Sequence, residues 1–269
     1  MSEINDKLIE TISHAVGIIY DPKGLKKAQR EFTATIFDQT ASREDLSVDE
    51  KMAIIQEYKY LLSKKYNRED VFDRANKHLK NDAQPENIDS SWIISFWDKA
   101  GTITNEGLKE LWGRVLAQEA NTPNTISKRL LHNLSLMSLS DAQNFINIAR
   151  FCFDDIAKEI AHPLIFIKEH PGVYAGSNIT TQILKELELY SLIETNYDTG
   201  FAYEKKKVLK YQKHIVEVSG ERIKAGNVRL TEDGQCLYKI VEKTEKEEIF
   251  GFAIEALQYN GSTVKVIDA

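Results

Sequence analysis

Apolar residues recur at helical spacing from the start of the chain. Ile4, Leu8, Ile12, Ala15, Val16 and Ile19 share one face, and Asp21-Pro22 closes the run because proline disfavours helical geometry in the residue before it. A second run from Leu25 to Phe37 puts Ala28, Phe32 and Ile36 on one stripe, and the polar stretch Asp38 to Asp45 ends it. Ser47 with Glu50 three residues later forms a capping box that opens a long run through Met52, Ile55, Tyr58, Leu62 and Tyr66, continuing after a break to Leu79. Asn81 to Ser91 is polar and broken by Pro85, which marks a candidate hinge at 81–91. Helices resume with Trp92, Ile93, Phe96 and Trp97, then Leu108, Leu111, Trp112, Val115 and Leu116. Thr125 can cap a helix carrying Leu130, Leu131 and Leu134, and Ser140 with Gln143 precedes Phe145, Ile148 and Phe151. Residues 1–162 therefore read as an all-helical region of seven or so helices.

The pattern changes at His162, where Pro163, Pro171, Gly172 and Gly176 interrupt a stretch that includes the apolar run Leu164 to Ile167. Thr180 or Thr181 starts a helix with Ile183, Leu184 and Leu187, followed by Leu192-Ile193. Val208 to Tyr211 and His214 to Val218 have strand composition, with turns expected at Ser219-Gly220 and Ala225-Gly226-Asn227. Leu230-Thr231-Glu232-Asp233-Gly234 reads as strand end, threonine cap and acidic first turn of a helix through Leu237, Ile240 and Val241. Thr244 with Glu247 caps a last helix, and Val264 to Ile267 can close as an edge strand. The expected fold is mainly α, with the helical region followed over 163–269 by a small winged-helix-like α+β module.

Composition sets the outer bounds. At 269 residues the chain is long enough for two packed modules, and its 42% hydrophobic and 28% charged residues are those of an ordinary globular protein. No apolar run reaches the roughly 18 residues of a membrane span, and Met1 to Glu10 lacks signal-peptide order, so the expectation is a cytoplasmic protein with no stable membrane insertion. Cys152 and Cys236 are too far apart in sequence to suggest a zinc pair, and they read as buried thiols. The net charge of -6 is uneven, being -3 over 1–90, -4 over 91–203, +5 over 204–229 and -4 over 230–269.

That basic segment gives the module its one chemical signal. In a winged-helix arrangement, Ile179 to Tyr190 would enter the major groove while Lys205, Lys206, Lys207, Lys210, Lys213, Arg222, Lys224 and Arg229 track phosphates. Glu186 and Glu188 outweigh Lys185 on the groove-facing helix and oppose that reading. Catalytic signatures are missing: there is no phosphate loop, dinucleotide fingerprint, H-E-x-x-H or nucleophile elbow. Asp155, Glu159 and His162 would share a face if their segment were helical, but one Glu-x-x-His falls short of a carboxylate-bridged metal site. The adjacent carboxylates Asp154 and Asp155 diverge by about 100 degrees on a helix. No metal or cofactor is expected.

Residues 92–131 carry a more specific pattern: Trp92, Phe96, then Leu111-Trp112-x-Arg114-Val115-Leu116-Ala117-x-Glu119, Pro123, Ser127 and Arg129, with Leu139-Ser140-x-x-Ala142 and Phe145 beyond. It resembles the bacterial family Domain of Unknown Function 2806, with looser similarity at Gly17, Pro22 and Leu230-Thr231-x-x-Gly234. Leu130 and the stretch 197–226 depart from that pattern. The resemblance implies no activity and no catalytic residues. Its helical start and aromatic middle are loosely similar to abortive-infection proteins, which implies a role in phage defence. Read from the residues themselves, Trp92, Phe96 and Trp112 are core positions, and Glu110 to Arg114 is an intrahelical ion pair. Arg114, Glu119 and Arg129 either tie helices together or line a site. The leading expectation is a non-enzymatic interaction or assembly protein that binds itself or another protein. A DNA-binding protein and an enzyme of unrecognised type are the alternatives.

Overall fold

The computed structural model describes residues 3–17, 26–167, 171–244 and 246–267, without the side chains of 26–32, 171, 204 and 205. It divides into two compact units, one ending at Leu131 and the other beginning at His132. The part of the first helical stripe at Ile19, the Asp21-Pro22 stop and Leu25 lie outside the described residues, as do the side chains of Ala28 and Phe32.

The first unit is helical: α1 (Glu3–Val16), α2 (Lys26–Ser42), α3 (Val48–Ala75), a 3-10 turn (Pro85–Asn87), α4 (Ser90–Ala100) and α5 (Glu106–Asn121). Its core gathers Leu8 and Ile12 of α1 with Val71, Phe72, Trp92, Phe96, Trp112 and Val115. The Ser47 and Glu50 capping box forms as expected, and Asp89 and Asn105 cap α4 and α5. Helices α3 and α5 approach closely at Gly113, where a Cβ would lie 2.6 Å from Arg74 Cβ and 3.1 Å from the Val71 carbonyl. The candidate hinge at 81–91 is packed inside this unit. Pro85 and Ile88 are buried, and the Gln84 amide donates to the Ala120 carbonyl at 2.8 Å. Its one proline and its polar residues shape a tight connector to α4.

Helix α3 runs for 28 residues, about 42 Å. Its buried residues are confined to the last third, beginning at Asn67. Along the first two thirds its neighbour is α2, through an edge-on contact of Phe37 with Tyr58 (5.9 Å between ring centres) and Lys51 Nζ on the Ala41 carbonyl.

Helix α6 (Lys128–Leu136) carries the chain from one unit to the other. The second unit contains α7 (Leu139–Ala149), β1 (Cys152–Asp155), β2 (Ile160–Pro163), α8 (Pro171–Gly176), α9 (Thr181–Leu189), β3 (Ile193–Thr195), β4 (Phe201–Tyr211), β5 (His214–Gly226), β6 (Val228–Leu230), α10 (Glu232–Ile240), α11 (Glu247–Tyr259) and β7 (Thr263–Ile267). Five strands form an antiparallel sheet in the order β2-β1-β4-β5-β7, and β3 pairs with β6 separately. The protein is thus mainly α with a smaller α+β part, and β7 is the expected edge strand.

Two sequence expectations change here. The all-helical region stops short of 162, because Cys152–Asp155 and Ile160–Pro163 form a hairpin in the sheet. Phe151, Cys152, Phe153 and Ala161 are buried, although β2 is an edge of the sheet. The hairpin of β4 and β5 turns at Gln212-Lys213, between the strands expected at 208–211 and 214–218, but it is longer: Ser219-Gly220, expected as a further turn, lies within β5 with Ser219 paired to Thr263. The run Glu204 to Lys207 hides the first half of β4 in the sequence.

Candidate functional site

The family-like motif of the first unit is assembled around α4 and α5. Trp92 stacks on Phe96 with ring centres 5.2 Å apart, and Phe96 meets Trp112 at 5.3 Å, all three buried. Arg114 reaches Glu110 at 3.2 Å across one helical turn, and Glu110 also meets His78 at 2.8 Å. A chain of charges continues along the seam of α3 and α5. Lys109 bridges Asp70 (2.9 Å) and Glu106 (3.0 Å), and Arg74 pairs with Asp70, Glu106 and Glu110.

Glu119 is 1% exposed, and its carboxylate accepts the backbone amides of Asn124 (2.6 Å), Thr125 (3.2 Å) and Ile126 (2.9 Å). It clasps the turn in which Asn124 adopts φ 65. Burial raises the carboxyl above its ordinary range, and the three amides pull against that rise without cancelling it. Arg129 is exposed on α6, so the structure does not gather Arg114, Glu119 and Arg129 into one pocket.

The second unit joins Asp155 and His162, both singled out in the sequence, to Lys207 and Tyr203 in one cluster. Asp155 is fully buried. Its carboxylate accepts the Ala157 amide at 3.0 Å, receives the Lys207 ammonium, and lies 3.6 Å from His162 Nε2. Tyr203 packs on His162 at 4.4 Å between ring centres, and Lys207 lies over the Tyr203 ring at 5.2 Å. Burial pushes the His162 imidazole down to about 4 despite the attraction of Asp155. Burial would raise Asp155, but the Lys207 hydrogen bond, the Ala157 amide and the nearby positive charge outweigh it and leave the carboxyl below its usual range. The cluster arises because β1, β2 and β4 are neighbours in the sheet. The expected helical face of Asp155, Glu159 and His162 is replaced by a hairpin in which Glu159 takes φ 54 at the turn. Like Glu119, Asp155 is committed to a turn, and it also holds the Lys207 ammonium.

The eight basic candidates are dispersed. Lys207 points into the unit toward Asp155, Lys206 pairs with Glu217, and Arg229 pairs with Glu194 and lies 4.8 Å from the Phe201 ring centre. Lys210, Lys213, Arg222 and Lys224 are exposed, and the side chain of Lys205 lies outside the described residues. Lys213 sits at the hairpin turn, whereas Lys224 pairs with Ala202 near the opposite end, roughly 30 Å away at strand rise. On α9, Glu188 turns back to accept the Thr195 amide and hydroxyl, both at 2.7 Å.

Exposed apolar side chains concentrate on α3: Val48, Met52, Ile54, Tyr60, Leu61 and Tyr66 are each at least 40% exposed. Among the described residues no group of three or more His, Cys, Asp or Glu side chains is placed to hold a metal ion, and no helix is long and apolar enough to cross a membrane.

A family model described as protein of unknown function (DUF2806) matches residues 55–252. No curated protein and no solved structure matches the chain.

Proposed function

Because this chain belongs to the DUF2806 family of proteins of unknown function, whose description assigns no activity, we propose its function from geometry: it is a non-enzymatic interaction or assembly protein. The observation that carries this is α3. Its first 19 positions contain no buried residue yet display Val48, Met52, Ile54, Tyr60, Leu61 and Tyr66. Burying such side chains against a partner would remove apolar surface from water, the main driving force of protein association. The partner is a second copy or another protein. Arg114, Glu119 and Asp155, the residues on which an enzyme reading depended, are engaged in ion pairs and turns.

The test is the light-scattering mass of the purified chain, with and without cell extract, beside Met52→Glu and Leu61→Glu. Both sites are more than half exposed, so each variant should stay within about 0.5 kcal/mol of the parent in stability while losing assembled mass. Variants that assemble as the parent does would remove α3 from the account.

A second reading, nucleic-acid binding through a winged-helix-like module, draws support from the order α9, β3, β4-β5 hairpin, β6, α10 and from the exposed Lys210, Lys213, Arg222 and Lys224. Four phosphate contacts would give a slope of about -3 to -4 in log affinity against log salt. A slope near zero would end it.

A further inference from the structure

Laid out at about 100 degrees per residue, the apolar side chains of α3 resolve a row along one side of the helix. Val48, Met52 and Tyr66, all exposed, fall within about 40 degrees of one another. The half-buried Ile55 and Leu62 continue the row toward the flank on which Tyr58 meets Phe37 of α2. In order, Val48, Met52, Ile55, Lys59, Leu62 and Tyr66 are separated by alternating steps of four and three residues. This is the spacing of a heptad seam, about 27 Å long. Only Lys59 interrupts it, with its Nζ 5.6 Å from the Phe37 ring centre. A lone lysine at a seam position lowers stability while fixing the register and number of helices that pair.

Charge selects the occupant. Between Arg43 and Glu57, two cations (Arg43, Lys51) count against five carboxylates (Glu44, Asp45, Asp49, Glu50, Glu57), a net of -3. Between Tyr58 and Arg68, Lys59, Lys64, Lys65 and Arg68 stand without a carboxylate, a net of +4. A second α3 running the opposite way lays each acidic half on the other's basic half, whereas a parallel one sets like on like. The seam closes in that same antiparallel register about a twofold axis at Glu57. Val48 then lies opposite the partner's Tyr66, Met52 opposite the partner's Leu62 and Ile55 opposite the partner's Lys59, and each pairing occurs twice. The stem of Lys59 can cover the isoleucine while its ammonium reaches water.

We propose that α3 is the interface of an antiparallel homodimer, two copies of this chain packing along the seam from Val48 to Tyr66. The proposal rests on the docking role assigned to α3 above and adds the identity and direction of the partner. A strip one helix wide and about 27 Å long lies at the small end of specific interfaces, so the pair separates on dilution. Its charge pairing is solvent-exposed, so rising salt weakens it.

Sedimentation velocity of the full chain over a dilution series, at low and high salt, tests the dimer. Met52→Glu puts a carboxylate into the seam and should raise the dissociation constant roughly tenfold or more. Leu61→Glu puts one into the basic half and should raise it by a smaller factor that shrinks at high salt. Direction is read by oxidative cross-linking of Val48→Cys and Tyr66→Cys chains, with the parent's Cys152 and Cys236 as background. The mixture should cross-link, and neither variant alone should do so. A chain that stays monomeric at every concentration, or single variants that each cross-link alone, would overturn the antiparallel homodimer. If that monomer still captured a protein from extract and lost it on Met52→Glu, the docking role of α3 would stand without the homodimer. A dimer indifferent to Met52→Glu would remove both.

Discussion

Replacing Glu119 by alanine should destabilise the first unit by about 2–4 kcal/mol, and the reasoning behind that figure is open to test. The carboxylate holds three backbone amides. Those of the exposed Asn124 and Thr125 can return to water, but that of the buried Ile126 cannot, and an orphaned buried amide costs about 1–3 kcal/mol. The lost γ-methylene adds roughly 0.8 kcal/mol. Release of a buried charge offsets part of this, since burial has raised the carboxyl. A group with a raised folded pKa contributes stability that is complete below its unfolded value and is lost as pH rises through the folded one. The gap between parent and Glu119→Ala should therefore widen as pH falls from 7 toward the ordinary 4.5. Urea denaturation at pH 7 and 5 measures both quantities. A loss under 0.5 kcal/mol, or a gap that narrows on acidification, would refute the clasp.

Gly113→Ala should lower the melting temperature, because the new Cβ meets backbone and Cβ atoms of α3 at 2.6–3.1 Å, and overpacking of that kind costs about 1–3 kcal/mol; calorimetry checks it. His162, with its imidazole depressed to about 4, is stabilising above its unfolded value near 6.5, and that contribution is lost as pH falls through 4. The parent should therefore lose up to about 3 kcal/mol over that window, and His162→Gln should flatten the curve of stability against pH. Lys207→Met leaves the buried Asp155 without its cation and should cost about 3–5 kcal/mol by denaturant titration, whereas Lys210→Met should cost under 0.5. Equal effects would remove the inward assignment of Lys207.

The elements were legible where a single physical signal dominated. Ser47 and Glu50 capped the long helix, the apolar spacing from Trp92 to Leu116 gave two core helices, and Val264 to Ile267 gave an edge strand. The β1-β2 hairpin escaped because Asp154, Asp155, Lys158 and Glu159 crowd a short segment with charge. Spaced i, i+4 and i+7, Asp155, Glu159 and His162 imitate a helical face. The burial of Asp155 depends on Lys207, 52 residues away, a pairing set by the neighbouring of β1 and β4 in the sheet. The basic segment was visible as charge, but strand alternation divides it between an inward Lys207 and outward neighbours, and local ion pairs occupy Lys206 and Arg229.

The two buried carboxylates explain why the strongest sequence motif is silent about function. Glu119 and Asp155 each sit beside a turn containing a non-glycine residue at positive φ, Asn124 at 65 and Glu159 at 54; Glu119 spends both oxygens on the amides of its turn, and Asp155 spends Oδ1 there while Oδ2 takes Lys207. A positive φ on such residues is a local cost that surrounding structure must offset. A buried acceptor bonded to consecutive amides supplies that offset, so the acidic residues act on the backbone rather than on a substrate.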